Sequence, residues 1–183
     1  MTGVVVPVAV GLVVAALVAL ALVPFAVLHP QPGPWAGRRA GRWALVSGYV
    51  AAVAAATLVP LPEPGAQQCL DGGARVQLLP FHFVVRLSGG DPAMDVLAQV
   101  ALNVALFVPL GVLLRRWWGV SWARAAAVGA LVSLGVETTQ LTGVWFVYDC
   151  AHRVFDVDDL LANMTGTVLG AVLTGARQPT SRA

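Results

Sequence analysis

Apolar residues fill five long runs of this chain, and the runs are separated by stretches rich in Pro, Gly, Arg and acidic residues. A helix needs about 20 predominantly apolar residues to cross a bilayer. The pattern therefore predicts an all-α integral membrane protein with about five transmembrane helices. The predicted spans are residues 4–28, 43–59, 94–114, 121–142 and 158–176.

The same pattern divides the chain into three parts. We expect residues 1–42 to form the first span and a cytoplasmic loop, residues 43–176 to form a transmembrane domain, and residues 177–183 to be a disordered cytoplasmic tail. The first run is interpreted as a retained span, because it is longer than the apolar core of about 7–15 residues in a signal peptide and no basic residue precedes it.

Composition agrees with a membrane location. Hydrophobic residues make up 58% of the chain and charged residues 11%, and the mean hydropathy is +0.79. A soluble domain carries about 25% charged residues, so the composition excludes an ordinary soluble protein. The net charge of +2 is small and its arginines are scattered, which excludes a nucleic-acid partner.

The placement of arginine predicts the orientation in the membrane, because cytoplasmic loops carry an excess of basic residues. Three groups of arginines place the amino terminus outside and the carboxyl terminus in the cytoplasm: Arg38, Arg39 and Arg42; Arg115, Arg116 and Arg124; Arg177 and Arg182. Loops 60–93 and 143–157 then face outward, and each contains one of the two cysteines, Cys69 and Cys150. Because the outer face is oxidising, we predict a disulfide between them.

Polar side chains recur at helical spacing near the outer ends of the last three spans. An ionisable group inside a membrane is costly and must pair or face water, so its default interpretation is functional. These groups predict an outward-facing polar pocket between spans three, four and five. The candidate ligand-binding residues are Asn103, Glu137, Gln140, Arg153, Asp156, Asp159 and Asn163, with His82 just above them.

Several of these residues also fit a purely structural role. Asn103 and Asn163 are typical of interhelical hydrogen bonds. Glu137 with Arg153 is equally consistent with a buried ion pair. Asp158 points about 100° away from the face of its neighbouring acid, where the helix dipole favours a carboxylate.

Two further segments have a structural interpretation of their own. Gly166 and Gly170 are spaced for a close contact between two helices. The outer segment 76–83 is apolar but too short to span the membrane, so it is predicted to be interfacial or re-entrant.

Three ordered motifs within residues 45–175 resemble the VanZ-like family. They are Asn103-x-x-x-Phe107-x-Pro109-x-Gly111, Glu137-x-x-Gln140, and Arg153-x-x-Asp156-x-x-Asp159-x-x-x-Asn163-x-x-Gly166. The named member of that family is associated with low-level resistance to teicoplanin, a glycopeptide antibiotic. The resemblance implies a setting in the bacterial cell envelope and supplies no agreed catalytic residues.

Three functions are consistent with these residues. The first is binding of an amphiphilic ligand at the outer leaflet, either a lipid-linked wall precursor or a lipoglycopeptide, with Arg153 meeting a phosphate or carboxylate. The second is an enzyme on an envelope lipid, with Glu137 as general base and Asp156 or Asp159 as its partner. The third is a structural module that assembles with another membrane protein. No Ser/His or Cys/His nucleophile pair is evident.

No cofactor and no metal is predicted. A metal set made of Glu137, Asp156, Asp159 and His82 lacks the tight ligand spacing of known sites.

Overall fold

The computed structural model describes residues 36–58, 76–146, 151 and 153–175. The predicted first span, the carboxyl-terminal tail and both cysteines lie outside the described residues, so the disulfide stays a prediction. The chain forms two compact units, residues 1–68 and 69–183.

The described part of the first unit is helix α1, Ala36–Leu58. The helix begins within the region predicted to be a loop, so Arg38, Arg39 and Arg42 belong to its first turns. Ala and Arg are among the strongest helix formers, which explains the earlier start. Residues 43–58 of the predicted second span, 43–59, make up the rest of this helix.

The second unit contains three long helices and, at one end of them, a small cap. The cap consists of strand β1 and the short helix α2, and it precedes the first long helix. The elements are β1 Val76–Gln77, α2 His82–Ser88, α3 Ala93–Trp118, α4 Trp122–Leu141, the helical turn α5 Gly143–Phe146, β2 Phe155–Asp156 and α6 Val157–Gly175. The described chain is therefore mostly helical, as predicted, and the three long helices correspond to predicted spans three, four and five.

Helix α3 extends four residues past its predicted end and contains Pro109 without a break in the helix. It ends at Gly119, whose φ of 62° is left-handed and whose N–H reaches the carbonyl oxygens of Arg115 and Leu114. This is the common glycine ending of a helix. Helix α4 then starts at Ser121, whose hydroxyl accepts a hydrogen bond from the Arg124 N–H at 3.4 Å.

Helix α6 runs parallel to α3, and their backbones are in direct contact. A Cβ atom added at Gly166 would overlap the carbonyl oxygen of Val104, and one at Gly170 would overlap that of Val108. From the α3 side, a Cβ at Gly111 would overlap the carbonyl oxygen of Thr167. The predicted close packing through Gly166 and Gly170 is confirmed, and its partner is α3.

Helix α4 packs antiparallel to α6, on contacts that repeat every four residues. Ser133 meets Asn163, and Gly129 meets Thr167, whose side chain would clash with a Cβ at that glycine. All four of these residues are buried, and so is the Ala125–Ala171 pair that the same spacing places one turn further along. This antiparallel contact is called the α4/α6 seam below.

The distribution of polarity in this unit is the reverse of that in a soluble domain. Polar and charged residues are buried, namely Ser133, Glu137, Gln140, Asp158, Asn163 and Thr167. Large apolar side chains are exposed on every long helix, such as Leu102 on α3, Leu131 on α4 and Leu173 on α6. Among the described helices, α3 is the one that is long and apolar enough to cross a membrane, with a mean hydropathy of 2.2 over its best window.

The cap lies against the start of α6. Strand β1 pairs in parallel with β2, with Val76 opposite Phe155 and Gln77 opposite Asp156. Most apolar residues of the cap and its turn are exposed, including Leu78 at 66% and Phe81 at 63%. The described part of the predicted interfacial segment is thus a strand, a turn and the start of a short helix on the outside of the unit.

Candidate functional site

Asp159 is the centre of a polar network at the end of the unit where α3 and α6 begin and α4 ends. Its Oδ1 accepts hydrogen bonds from Asn103 Nδ2 and, at 3.4 Å, from Gln99 Nε2. Gln99 in turn accepts a bond of 3.0 Å from Arg86 Nη1 through its own Oε1. Arg86 Nε is also paired with Asp91 Oδ2 at 2.9 Å. One chain of hydrogen bonds therefore joins α2, α3 and α6.

A second part of the network joins α4 to the start of α6. The Asp156 backbone N–H donates to Glu137 Oε2 at 3.0 Å, and Asp156 Oδ1 accepts from the Asp158 N–H at 2.9 Å. Asp156 thereby caps the first turn of α6, since a side-chain oxygen satisfies an N–H that has no partner within the helix. Glu137 is 2% exposed, and the four-residue spacing of the seam places it opposite Asp159.

Asp158 has a structural role that differs from that of its neighbours. Its Oδ1 accepts the Phe81 N–H at 2.6 Å, and its Oδ2 accepts the Phe83 N–H at 2.9 Å. The carboxylate thus holds the first turn of α2 against α6. Phe81 has a φ of 60°, a left-handed conformation that is unfavourable for a bulky residue. The two charge-assisted bonds offset that cost.

One turn deeper in the seam, Asn163 Nδ2 donates to Ser133 Oγ at 2.9 Å. Both residues are fully or almost fully buried. The other polar atom of the amide, Asn163 Oδ1, is buried without a hydrogen-bond partner among the described residues. The interhelical role predicted for Asn163 is confirmed, and so is that of Asn103, which bonds to α6.

A small cleft lies between α2, α3 and the start of α6. It is lined by Phe83, Arg86, Val96, Gln99, Val100, Asp156, Asp158 and Asp159. A cavity needs the room of about one water-sized sphere to hold a water molecule, and the cleft has about that room. Helix α4 contributes none of these lining residues. The larger pocket predicted between spans three, four and five stays a prediction.

The structure brings most of the predicted site residues together, and Arg153 interacts electrostatically with Glu137 and Asp159 without a hydrogen bond or salt bridge to either among the described residues. Asn103 and Asp159 bond directly, Glu137 bonds to the Asp156 backbone, and Asn163 lies one turn below. Gln140 is buried on the same face of α4 as Glu137.

Arg153 and His82 take less part in the site than the sequence suggested. Arg153 is exposed, and within the described residues it forms no salt bridge with Glu137. The buried ion pair considered for these two residues is therefore absent. His82 is half-buried at the start of α2, and in the described part of the chain it belongs to no group of metal-ligating side chains.

Arg86 is the residue of this network that sequence reasoning missed. It is the sole Lys or Arg between residues 76 and 93, in an outer segment whose other side chains are largely apolar. A single guanidinium in an apolar interfacial segment needs a polar partner, and that signal was available in the sequence. Its partner Gln99 lies four residues before Asn103 and so shares its face of α3, but the link between Arg86 and Gln99 depends on how α2 folds back.

The residues of this network lie within a region of the chain that matches a protein-family model. The model of the VanZ/LLP1 family matches residues 46–177. The chain belongs to the VanZ/LLP1 family. The match begins within α1 and extends past the end of α6, so it includes every residue of the network. Neither the curated proteins nor the solved structures include a significant match.

The predicted resemblance to the VanZ-like family is confirmed by this match. Together with the apolar helix α3, it identifies the chain as a membrane protein. The VanZ/LLP1 region contains a polar interior, an apolar exterior and a cleft with charges of both signs at one end.

Proposed function

We propose that this VanZ/LLP1 protein binds an amphiphilic ligand at the outer leaflet of the bacterial cell membrane and thereby contributes to glycopeptide resistance. The ligand is a lipid-linked wall precursor or a lipoglycopeptide such as teicoplanin. Asn103, Glu137, Gln140, Asp156, Asp159 and Asn163 form its polar site. The observation that carries the proposal is the convergence of polar groups from α3, α4 and α6 at the same end of the three helices.

Membrane topology supports the outer-leaflet location. In the proposed five-span arrangement, with the amino terminus outside and the carboxyl terminus in the cytoplasm, the outer end of α3 carries Gln99 and Asn103. The opposite end of α3 carries Arg115 and Arg116, as the positive-inside rule requires. The polar network then lies at the outer interface, where a head group is accessible from the outside.

The surroundings of the network suit the apolar part of such a ligand. Val84 and Val85 of α2 and Leu97 of α3 are each 51% exposed. Exposed apolar side chains next to buried polar groups are what an amphiphile needs, since its acyl chain contacts the former while its head group reaches the latter. Apolar side chains of this kind at a membrane interface also anchor the protein in the headgroup region.

Direct binding tests the proposal. Purified full-length protein in detergent is titrated with teicoplanin, with the same glycopeptide lacking its acyl chain, and with a lipid-linked wall precursor. We expect saturable binding of at least one acylated ligand, and at least about tenfold weaker binding of the glycopeptide without an acyl chain. Equal binding of the two glycopeptides, with none of the precursor, contradicts an amphiphile site.

An enzyme acting on an envelope lipid is the second candidate, and the burial of Glu137 favours it. This carboxylate lies opposite that of Asp159, and neither has a salt-bridge partner among the described residues. Two carboxylates in one desolvated site are a common arrangement for general acid–base chemistry. In this reading Glu137 is the general base and Asp156 or Asp159 its partner.

Glu137→Gln separates a functional role from a structural one. Gln keeps the shape of the side chain and an oxygen acceptor for the Asp156 N–H, and it removes the charge. We expect a normal protein level in the membrane and loss of the glycopeptide phenotype. Because Arg153 forms no ion pair with Glu137, the double change with Arg153→Gln should restore nothing. A fall in protein level that the double change reverses would instead indicate a structural ion pair.

A further inference from the structure

Arg86 lines the cleft and has, among the described residues, a hydrogen-bonding group to spare. Its Nε is held by Asp91 and its Nη1 by Gln99 Oε1. Within the described residues, its Nη2 donates no hydrogen bond. The side chain is 32% exposed, so the guanidinium is fixed in place and still open to a ligand. A fork of donors in a fixed orientation suits a phosphate or a carboxylate.

Another part of the lining of the same cleft has the opposite charge. Asp156 and Asp159 line it, and Gln99 lies between Arg86 and Asp159 and bonds to both. The described residues contain no direct salt bridge from Arg86 to either of these two acids. The Gln99 amide thus separates the Arg86 guanidinium from the Asp159 carboxylate. A head group in which an anion is next to a hydroxyl or an ammonium group is complementary to this pair, since its anion meets Arg86 and its hydrogen-bond donor meets Asp159.

The size of the cleft decides which part of a head group enters. It has room for about one water molecule, which a hydroxyl or a primary ammonium matches and a phosphate exceeds. The small donor therefore fits in the cleft against the aspartates, while the larger anion stays outside it and meets the partly exposed guanidinium of Arg86. A trimethylated ammonium has no N–H to donate and is too large to enter.

Arg153, the basic residue expected from the sequence to meet the anion, is less well placed. Its charge acts on Glu137 and Asp159, but it is exposed, it does not line the cleft, and within the described residues it forms no hydrogen bond that would fix its guanidinium. An exposed and unfixed arginine contributes little to binding, because it loses side-chain entropy and solvation when it is held.

We infer that Arg86 rather than Arg153 binds the anionic group of the head group, and that Asp156 and Asp159 accept hydrogen bonds from a hydroxyl or primary ammonium beside it. The ligand is then an amphiphile whose phosphate or carboxylate is next to such a donor. This inference rests on the proposed function and specifies the chemistry of its site.

The test compares matched variants with matched lipids. Native mass spectrometry of the purified full chain in detergent measures binding of phosphatidylethanolamine, phosphatidylglycerol and phosphatidylcholine, and of glycerophosphoethanolamine, which has no acyl chains. We expect the first two lipids to bind at least about tenfold more tightly than phosphatidylcholine. Glycerophosphoethanolamine should bind most weakly. If it binds as well as its parent lipid, the site takes a soluble phosphate ester, and an amphiphile is excluded.

Arg86→Gln should weaken binding of phosphatidylethanolamine at least about tenfold, the effect of losing one hydrogen bond to a charged group. Arg153→Gln removes the same charge near the same end of the unit and should change binding less than about twofold. Equal losses in the two variants, or a larger loss in Arg153→Gln, overturn the inference. If Arg86→Gln does not fold, Arg86→Lys replaces it, with Arg153→Lys as its control. We then expect Arg86→Lys to weaken binding of phosphatidylethanolamine about threefold more than Arg153→Lys does.

The two proposals fail in different ways. If the wild-type protein binds none of these lipids, no lipoglycopeptide and no wall precursor, the proposed function is wrong. If the wild-type protein binds an amphiphile and Arg86→Gln binds it equally well, the proposed function stands and the assignment of Arg86 is wrong.

Discussion

Asn163 of α6 donates a hydrogen bond from Nδ2 to the hydroxyl of Ser133 on α4, at 2.9 Å and out of contact with solvent. This bond lies in the middle of the α4/α6 seam, between the Glu137 level and the Gly129–Thr167 contact. It fixes the register of the two helices, because a shift by one residue would separate the two groups and leave both without partners.

Removing the hydroxyl of Ser133 should therefore destabilise the unit. Ser133→Ala leaves Asn163 Nδ2 buried without a partner, and we expect a loss of about 0.6–2 kcal/mol, the range measured for interhelical hydrogen bonds in membranes. Unfolding of the purified protein in a denaturing detergent series measures it. Thr165→Ala is the control, since that hydroxyl is exposed and bonds within its own helix. Equal stability of the two variants would show that the seam does not depend on this bond.

Gly166→Ala should separate α3 from α6. The added methyl group would meet the backbone of Val104, which cannot rotate out of the way, so we expect a loss of about 1–3 kcal/mol from overpacking. Gly135→Ala is the matched control, because nothing lies within 4 Å of a Cβ at that position of α4. Alanine there should be neutral or stabilising by up to about 1 kcal/mol. The same denaturation series measures both, and similar values for the two glycines would contradict the close backbone contact.

Asp158→Ala should release α2 from the start of α6. The substitution removes both acceptors of the Phe81 and Phe83 N–H groups, and each charge-assisted bond contributes about 1.5–3 kcal/mol. Hydrogen exchange at these two amides should become at least about tenfold faster, while exchange in the middle of α3 stays unchanged. Asp95→Ala serves as the control, since Asp95 is exposed in the first turn of α3. No change at Phe81 and Phe83 would exclude the anchoring role.

Reporter fusions test the proposed orientation. Alkaline phosphatase is active outside the cytoplasm, so a fusion at residue 66 should be active and one at the carboxyl terminus inactive. The expectation follows from the arginines between and after the predicted spans. The opposite pattern would place the cleft on the cytoplasmic side and would exclude a ligand from the outer leaflet.

Sequence periodicity predicted which faces of the helices carry polar groups, but not which faces meet. Spacing alone placed Asn103, Asp159 and Asn163 on polar faces, and the structure confirms their interhelical bonds. Spacing alone also placed Asp158 and Asp159 on different faces of the helix. The partners of Asp158 are backbone N–H groups more than 70 residues away, and backbone groups leave no trace in a sequence.

The roles of the two outer arginines could not be predicted for a related reason. The sequence places Arg153 next to the acids, and it is the residue that stays exposed. Arg86 is remote in the chain and reaches Gln99 because α2 folds back along the start of α3. Helix α2 follows β1, which pairs with β2, and each of these strands has only two residues. An alternation of polar and apolar residues cannot be recognised in a sequence over so short a length.

The burial of polar residues in the seam has a consequence for biosynthesis. In the proposed five-span arrangement α4 crosses the membrane and contains Ser133, Gln140 and, near its end, Glu137. A charged residue costs up to about 2.5–3.5 kcal/mol in a span on insertion scales, the upper value applying at the centre. We therefore expect α3 to insert into the membrane first. Helix α4 should become stable in the membrane only after α6 has been synthesised, because α6 covers the polar side chains of α4. A chain that stops after Leu141 should be degraded faster than the full chain, and Leu at positions 137 and 140 of that truncated chain should restore its level.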